Sequence, residues 1–152
     1  MKTRGVRPIG MALWDATQVV HREFERILAD HGGNRATWFI FLALDGADHP
    51  TQRELARAVG ISDATLTHHL RNLEDRGLVE RTRDPDDRRV QCIEFTAEGR
   101  AAFTRMRDDA VAFDRRLRAE LGADATAALI DALEVLTTSI GDAGTTPPPP
   151  IG

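Results

Sequence analysis

Apolar residues recur along most of this chain at intervals of three and four, the period of an α-helix that buries one face. The pattern predicts six helices, at about residues 9–31, 35–44, 52–59, 63–76, 97–121 and 124–140. Residues 78–95 instead contain two β-prone segments on either side of a polar turn. The predicted fold class is therefore mainly α with one small β-hairpin, in a single domain.

The two short helices in the middle of the chain have clear start and stop signals. Thr51 and Glu54 have the spacing of a capping box, in which each side chain satisfies a backbone N–H of the other residue. Gly60 permits a sharp turn, because it enters positive φ without steric cost, and Ser62 can cap the second helix. Three leucines then form a buried stripe. Two capped helices joined in this way are typical of a helix-turn-helix.

The second of these helices has a polar face that suits a DNA groove. Thr67 and His68 are the predicted base readers, and Ala64 suits contact with a thymine methyl group. Thr65 and Arg71 suit contact with phosphate, and Ser62 lies at the start of the same helix. The neighbouring His69 points toward the buried side of the helix. It is therefore expected to be a structural histidine between core and surface and not a DNA contact.

The two β-prone segments, residues 78–83 and 90–95, flank the turn sequence Asp84-Pro85-Asp86-Asp87. A hairpin directly after a recognition helix is a wing. Its tip holds Arg83, Arg88 and Arg89, whose guanidinium groups can reach phosphates or a narrow minor groove. Any three-helix domain can contain two capped helices and a turn, but an arginine-tipped hairpin at this place favours DNA binding.

Taken together, these motifs resemble the multiple antibiotic resistance regulator (MarR) family of winged helix-turn-helix repressors. The matching residues are Thr51, Glu54-Leu55-Ala56, Ile61, Thr65-Leu66-Thr67, Leu70, Leu73-Glu74, Gly77-Leu78-Val79, Arg81, Asp87-Arg88-Arg89, Phe95-Thr96 and Gly99, with Phe95 where leucine is usual. The resemblance implies that Arg89 enters the minor groove, that Asp87 orients it, and that Arg83 and Arg88 hold the DNA backbone. It implies a sequence-specific, ligand-responsive repressor that binds double-stranded DNA as a homodimer on an inverted repeat.

The resemblance also divides the chain into regions. Residues 34–95 are expected to bind DNA, and residues 9–31 and 97–140 are expected to form the dimer. A monomeric bundle, in which the apolar stripes pack on each other, is the alternative. The last helix is predicted to follow a break at residues 122–124, with Asp124 as its cap, and residues 141–152 are predicted to be a flexible proline-rich tail.

An effector pocket is expected where the dimer helices meet the winged domain. The candidate residues are Trp14, His21, Trp38, Phe41 and Phe113. Aromatic walls and an imidazole suit a small aromatic or anionic effector. The same aromatic residues could equally belong to the core, since residues 35–44 are apolar on nearly every side.

Composition limits the other classes of function. Net charge is −4, and residues 51–95 hold eight Arg against nine Asp and Glu, so DNA binding depends on where the arginines lie. No metal or catalytic motif is present, which predicts no cofactor and no enzyme activity. A winged-helix module for protein contacts is the alternative, although the polar recognition face argues against it.

A single cysteine, Cys92, and the lack of any apolar run of about 20 residues predict a cytoplasmic protein without a membrane partner.

Overall fold

The computed structural model describes residues 7–140 and has a mainly helical fold with one antiparallel hairpin. The elements are α1 (Ile9–Asp30), α2 (Arg35–Asp45), α3 (Gln52–Val59), α4 (Asp63–Asp75), β1 (Val79–Arg83), β2 (Gln91–Phe95), α5 (Ala97–Leu121) and α6 (Ala123–Ile140). The predicted fold class is confirmed. The predicted proline-rich tail, residues 141–152, lies outside the described residues.

The break before the last helix is shorter than the sequence pattern predicts. Gly122 alone separates the two helices, with φ 79° and ψ 163°, and α6 begins at Ala123. Asp124 therefore lies inside the first turn, and its prediction as the helix cap is wrong. Its negative charge still suits that turn, because the amino end of a helix carries partial positive charge.

Helix α2 lies at the centre of the core, as its apolar sequence predicts. Trp38 packs edge-on against Phe24 of α1 with 5.8 Å between ring centroids, and its ring lies 5.9 Å from that of Phe103 of α5. Phe41 packs edge-on against both Phe95 of β2 and Phe103. Because these rings come from four elements, burial of one aromatic cluster holds α1, α2, α5 and the hairpin together.

The helix-turn-helix forms as its capping residues predict. The capping box is complete: the Thr51 N–H donates to the Glu54 carboxylate at 2.8 Å, and the Glu54 N–H donates to Thr51 Oγ1 at 3.3 Å. The backbone hydrogen bond from Thr51 is the main cause that holds the pKa of Glu54 below its ordinary value. Gly60 adopts φ 75° and ends α3, and the Ser62 side chain accepts a hydrogen bond from the Thr65 N–H. These local bonds fix where α4 begins.

Two links attach the hairpin to the helices. The Ile93 N–H donates to the carbonyl oxygen of Pro50 at 2.9 Å, so β2 is bonded to the chain just before α3. At the other side, Gly99 of α5 lies directly on the backbone of Leu78. A Cβ added at Gly99 would be 1.7 Å from the Leu78 carbonyl oxygen, which leaves no room for a side chain. The wing therefore has a fixed base.

The first and last helices leave much of their apolar surface uncovered. On α1, Trp14 is 62% exposed, and on α6, Leu133 is 39% exposed. The other exposed large apolar residues of these two helices are Ile9, Met11, Val19 and Val20 on α1, and Leu129, Ile130, Val135 and Ile140 on α6. Exposed apolar residues in this number are unusual on a monomer, and large exposed apolar patches are typical of interaction surfaces.

Candidate nucleic-acid interface

The recognition helix α4 presents most of its predicted contact residues to solvent. Ala64, Thr65, His68 and Arg71 are all exposed. The Thr65 hydroxyl pairs with Ser62 Oγ at 2.8 Å, so these two side chains also stabilise the start of the helix. The face therefore offers a methyl group, hydroxyls, an imidazole and a guanidinium group, a set that can contact both base edges and phosphates.

Thr67 lies differently from its neighbours. It is half-buried, its hydroxyl donates to the Asp63 carbonyl at 2.7 Å, and it accepts a hydrogen bond from Gln52 Nε2 at 2.6 Å. Both the donor and an acceptor site of this hydroxyl are thus used inside the protein. The prediction that Thr67 reads a base through its hydroxyl finds no support in this geometry, and the role of Gln52 was missed from the sequence.

The two adjacent histidines of α4 have different surroundings. His68 is exposed on the recognition face, and His69 is half-buried and faces the turn between α3 and α4. Their rings pack edge-on with 5.9 Å between centroids. His68 therefore remains a candidate base reader, and His69 lies between core and surface as its position in the helical pattern indicates.

Asp84 organises the wing turn. Its Oδ1 accepts hydrogen bonds from the N–H groups of Asp86 and Asp87, each at 2.8 Å, and these bonds lower the pKa of its carboxyl below the ordinary value. An aspartate that bonds the backbone two residues ahead is a common turn device, and the Asp84-Pro85-Asp86 sequence was the signal for it. The sequence predicts the turn, and the structure adds the bonding role of Asp84.

The wing arginines divide into two kinds. The Arg83 guanidinium donates to the Arg88 carbonyl at 2.7 Å and so holds the wing backbone. Asp87 Oδ1 accepts from the Arg89 N–H at 3.0 Å, so the acid fixes the backbone of Arg89 and not its guanidinium group. Arg88 and Arg89 are exposed, and within residues 7–140 their guanidinium groups have no ion pair. These two cations are therefore available to a ligand.

We expect the wing turn to lose order in acid because Asp84 must be ionised to hold it. Its pKa is lowered by folding, so its contribution to stability is complete above the unfolded-state pKa and is lost as pH falls through the lower folded-state value. Carboxyl NMR titration of Asp84, with the denatured chain as control, measures the difference. Equal midpoints for the folded and denatured chains would contradict the assignment.

Cys92 is buried beside this turn. Its Sγ–H points to Asp84 Oδ2 at 3.8 Å, and burial, followed by the nearby Asp84 charge, raises the pKa of the thiol. A raised pKa keeps the sulfur protonated at neutral pH, and a thiol is a poor nucleophile. The surroundings of Cys92 therefore suit a structural residue.

The five residues predicted for an effector pocket do not share one environment. Trp38 and Phe41 are fully buried in the aromatic cluster, and Phe113 stacks on Phe24 at 6.1 Å. Trp14 is exposed on α1, and His21 accepts a hydrogen bond from Arg35 at 2.7 Å. Aromatic residues suit a core and a ligand pocket equally, so their sequence pattern could not distinguish the two. The pocket assignment stays a prediction.

A cleft of about 540 Å³ opens where α1 and α2 meet the helix-turn-helix. Its lining includes Glu25 from α1, Arg35 and Phe39 from α2, Ile61 in the turn, and His69 from α4. Arg35 carries the hydrogen bond to His21, so one predicted pocket residue contacts the lining of this cleft. The lining combines an apolar wall with the polar side chains of Arg35, His69 and Glu25.

Neither a metal centre nor a membrane helix is indicated by the described part of the chain. Residues 7–140 contain no group of three or more histidine, cysteine, aspartate or glutamate side chains placed to hold a metal ion. None of their helices is both long and apolar enough to cross a bilayer.

Comparison with known proteins relates this surface to a family. A sequence profile described as the MarR family matches residues 31–90. The chain is 31% identical over 96 residues to the HTH-type transcriptional regulator YdgJ of Bacillus subtilis, a match that covers 63% of this chain and 58% of that protein. It is 33% identical over 95 residues to the HTH-type transcriptional repressor YetL of the same organism, covering 60% of this chain and 56% of YetL.

A solved structure extends the similarity over more of the chain. The transcriptional repressor CouR, bound to a 23-mer DNA duplex, is 33% identical, with a TM-score of 0.72. The match covers 84% of this chain and 91% of that one. It therefore includes much more of the chain than the central matched region. Fold, capping motifs and sequence identity agree: the chain belongs to the MarR family, a family of transcriptional regulators and not of enzymes.

Proposed function

We propose that this protein is a sequence-specific, double-stranded DNA-binding repressor that acts as a homodimer on an inverted-repeat operator. The observation that carries the proposal is the pair of exposed arginines, Arg88 and Arg89, on the wing that follows the exposed face of α4. Within residues 7–140 neither guanidinium group has an ion pair. A helix of this kind fits the major groove, and arginine suits the negative potential of a narrow minor groove. CouR, the similar repressor, was solved with a DNA duplex.

The homodimer is supported by the apolar surface of the terminal helices. Helix α6 packs along α5, yet Leu129, Ile130 and Leu133 remain exposed. A second copy would cover these residues, and two-fold symmetry would present two α4 helices to two half-sites. This symmetry is the reason for expecting an inverted repeat.

A response to a small ligand is supported by the cleft between α1, α2 and the helix-turn-helix. An occupant would contact Arg35 on one side and His69 of the recognition helix on the other. The lining suits a small aromatic carboxylate, whose ring would pack on Phe39 and whose charge would pair with Arg35. Binding there could change affinity for DNA only if the ligand prefers one orientation of α4.

A module for protein contacts is the alternative. Such a module would be expected to replace the polar groups of α4 with apolar ones, because protein interfaces exclude charge from their centre. The exposed His68 and Arg71 and the wing arginines do not fit that expectation. Selection of duplexes from a random pool with the full-length protein tests DNA binding directly, and the selected duplex serves below as the operator.

Arg89→Ala is expected to weaken binding to the selected duplex by about 1–3 kcal/mol, because it removes a charged contact in the minor groove. Arg88→Ala is the matched control on the adjacent residue. It should weaken binding to all duplexes evenly and reduce the salt dependence by about one ion per subunit. Titrations of selected and scrambled duplexes at several salt concentrations measure both effects. Parent-like behaviour of the Arg89→Ala protein would remove the basis for the wing contact.

A further inference from the structure

A line of hydrogen bonds runs beside α4 from its first turn to its last. Gln52, the first residue of α3, donates from Nε2 to Thr67 Oγ1 at 2.6 Å and approaches the Asp63 carbonyl at 3.4 Å. Its Oε1 accepts from Arg81 of β1 at 3.1 Å. The Nε of Arg81 in turn pairs with the Glu74 carboxylate at 2.8 Å. We call Thr67, Gln52, Arg81 and Glu74 the Gln52 bridge.

Each group in the bridge has one consistent role. The Thr67 hydroxyl gives its proton to the Asp63 carbonyl, which leaves a lone pair to accept from Gln52. Rotating the Gln52 amide by 180° would place its NH₂ group against the guanidinium of Arg81, and two donors would then face each other. The orientation of the amide is therefore determined by its partners.

The bridge holds α4 at two separate points. One lies in the first turn, through Asp63 and Thr67, and the other lies in the last turn, through Glu74. The two holding points come from different elements, α3 and β1. Two attachments at opposite ends of a helix restrict both its tilt and its rotation about its own axis. The bridge thus sets the direction in which the neighbouring His68 points.

Base recognition depends on the direction in which the reading side chain points. A reading side chain has to be held within about 0.5 Å of its productive position, and phosphate contacts tolerate larger errors because they act mainly through charge. Loss of the bridge should therefore affect the choice of sequence more than the overall attraction to DNA. That distinction can be measured.

We propose that Gln52 is a positioning residue for sequence recognition, which orients α4 through Thr67 and Arg81 without contacting a base. The inference rests on the proposed DNA-binding function. On this proposal Thr67 affects sequence specificity by accepting the hydrogen bond from Gln52, and its hydroxyl does not contact a base.

The test compares a duplex selected from a random pool with a scrambled duplex of the same composition, using the full-length protein. Gln52→Met keeps the length of the side chain and removes its hydrogen bonds, and Thr67→Val keeps the shape and removes the hydroxyl. Each change should weaken binding to the selected duplex about tenfold, the order of one mismatched base pair, and change binding to the scrambled duplex less than about twofold. The double variant should be no weaker than Gln52→Met alone, because that change already removes the contact with Thr67.

Two controls separate positioning from other roles. Thr67→Ser keeps the hydroxyl and should retain the preference for the selected duplex. Thr104 on α5 also donates its hydroxyl to a carbonyl four residues earlier, that of Arg100 at 2.9 Å. Thr104→Val therefore removes an intrahelical hydrogen bond and no interhelical one. It should leave the preference unchanged and shows the effect of losing an intrahelical bond alone.

Several results would overturn the inference. Additive losses in the double variant would show that Gln52 and Thr67 act separately. Loss in Thr67→Ser with retention in Thr67→Val would assign the effect to the threonine methyl group against a base. Equal loss on both duplexes, with a salt slope reduced by about one, would make Gln52 a phosphate contact. A parent protein without any preferred duplex would refute the proposed function itself, and the positioning role with it.

Discussion

Gly99→Ala is expected to destabilise the protein by about 3 kcal/mol or more, with a fall in melting temperature of about 10 °C. An added Cβ would lie 1.7 Å from the Leu78 carbonyl oxygen and 2.6 Å from its carbonyl carbon. Both are backbone atoms, so no side-chain rotation can relieve the overlap. The start of α5 would have to move away from the turn before β1.

That movement would also break hydrogen bonds that join the two segments. Thr96 donates from its N–H to the Leu78 carbonyl at 3.2 Å and from its hydroxyl to the Gly77 carbonyl at 2.6 Å. Thermal unfolding followed by circular dichroism measures the loss. Gly10→Ala is the matched control: Gly10 also lies in the first turn of a helix, and an added Cβ there meets nothing within 4 Å. The expectation fails if the Gly99→Ala protein melts within about 2 °C of the parent.

Introducing charge on α6 is expected to prevent dimer formation and, with it, operator binding. Ile130→Glu and Leu133→Glu replace exposed apolar side chains, so neither change should disturb the core of a single subunit. In a dimer each would bury an unpaired carboxylate, which is strongly unfavourable. We expect the double variant to sediment as a monomer at micromolar concentration and to bind the selected duplex about 100-fold more weakly.

Asp131→Ala provides the control on the same helix, because it removes a charge between the two test positions without adding one. It should remain a dimer and bind DNA as the parent does. A well-folded parent that sediments as a monomer at micromolar concentration would refute the homodimer. A monomeric variant that keeps full affinity for the operator would refute the need for two recognition helices.

Short-range signals made most of the fold predictable from sequence. The capping box of Thr51 and Glu54, the turn at Gly60 and the cap at Ser62 each depend on residues within four positions. Their structures follow from local hydrogen bonds, which a linear pattern can show. Helix α5 was located for the same reason, since Thr96 caps it. The error at Asp124 arose because a single Gly122 suffices to end one helix before another begins.

The candidate site was less predictable, because its details depend on residues that are distant in sequence. Gln52 and Arg81 meet across 29 positions, and no spacing rule relates them. Thr67 lies on the polar face of α4 in the sequence pattern, but its hydrogen bond from Gln52 of α3 depends on the fold. Trp38 and Phe41 show the same difficulty, since burial by α1 and α5 decides their environment. The exposed wing arginines were predictable because a turn tip is exposed wherever the hairpin packs.

The two tryptophans of the chain have contrasting surroundings, and this gives the protein two separate optical reporters. Trp38 is 2% exposed and packed between aromatic rings, and Trp14 is 62% exposed on α1. An indole in an apolar environment emits at shorter wavelength than one in water, so Trp38 fluorescence follows unfolding of the core. Emission from Trp14 should follow events at the surface of α1 instead. Single replacements of each tryptophan by phenylalanine would therefore give two variants, one whose emission reports folding and one whose emission reports association.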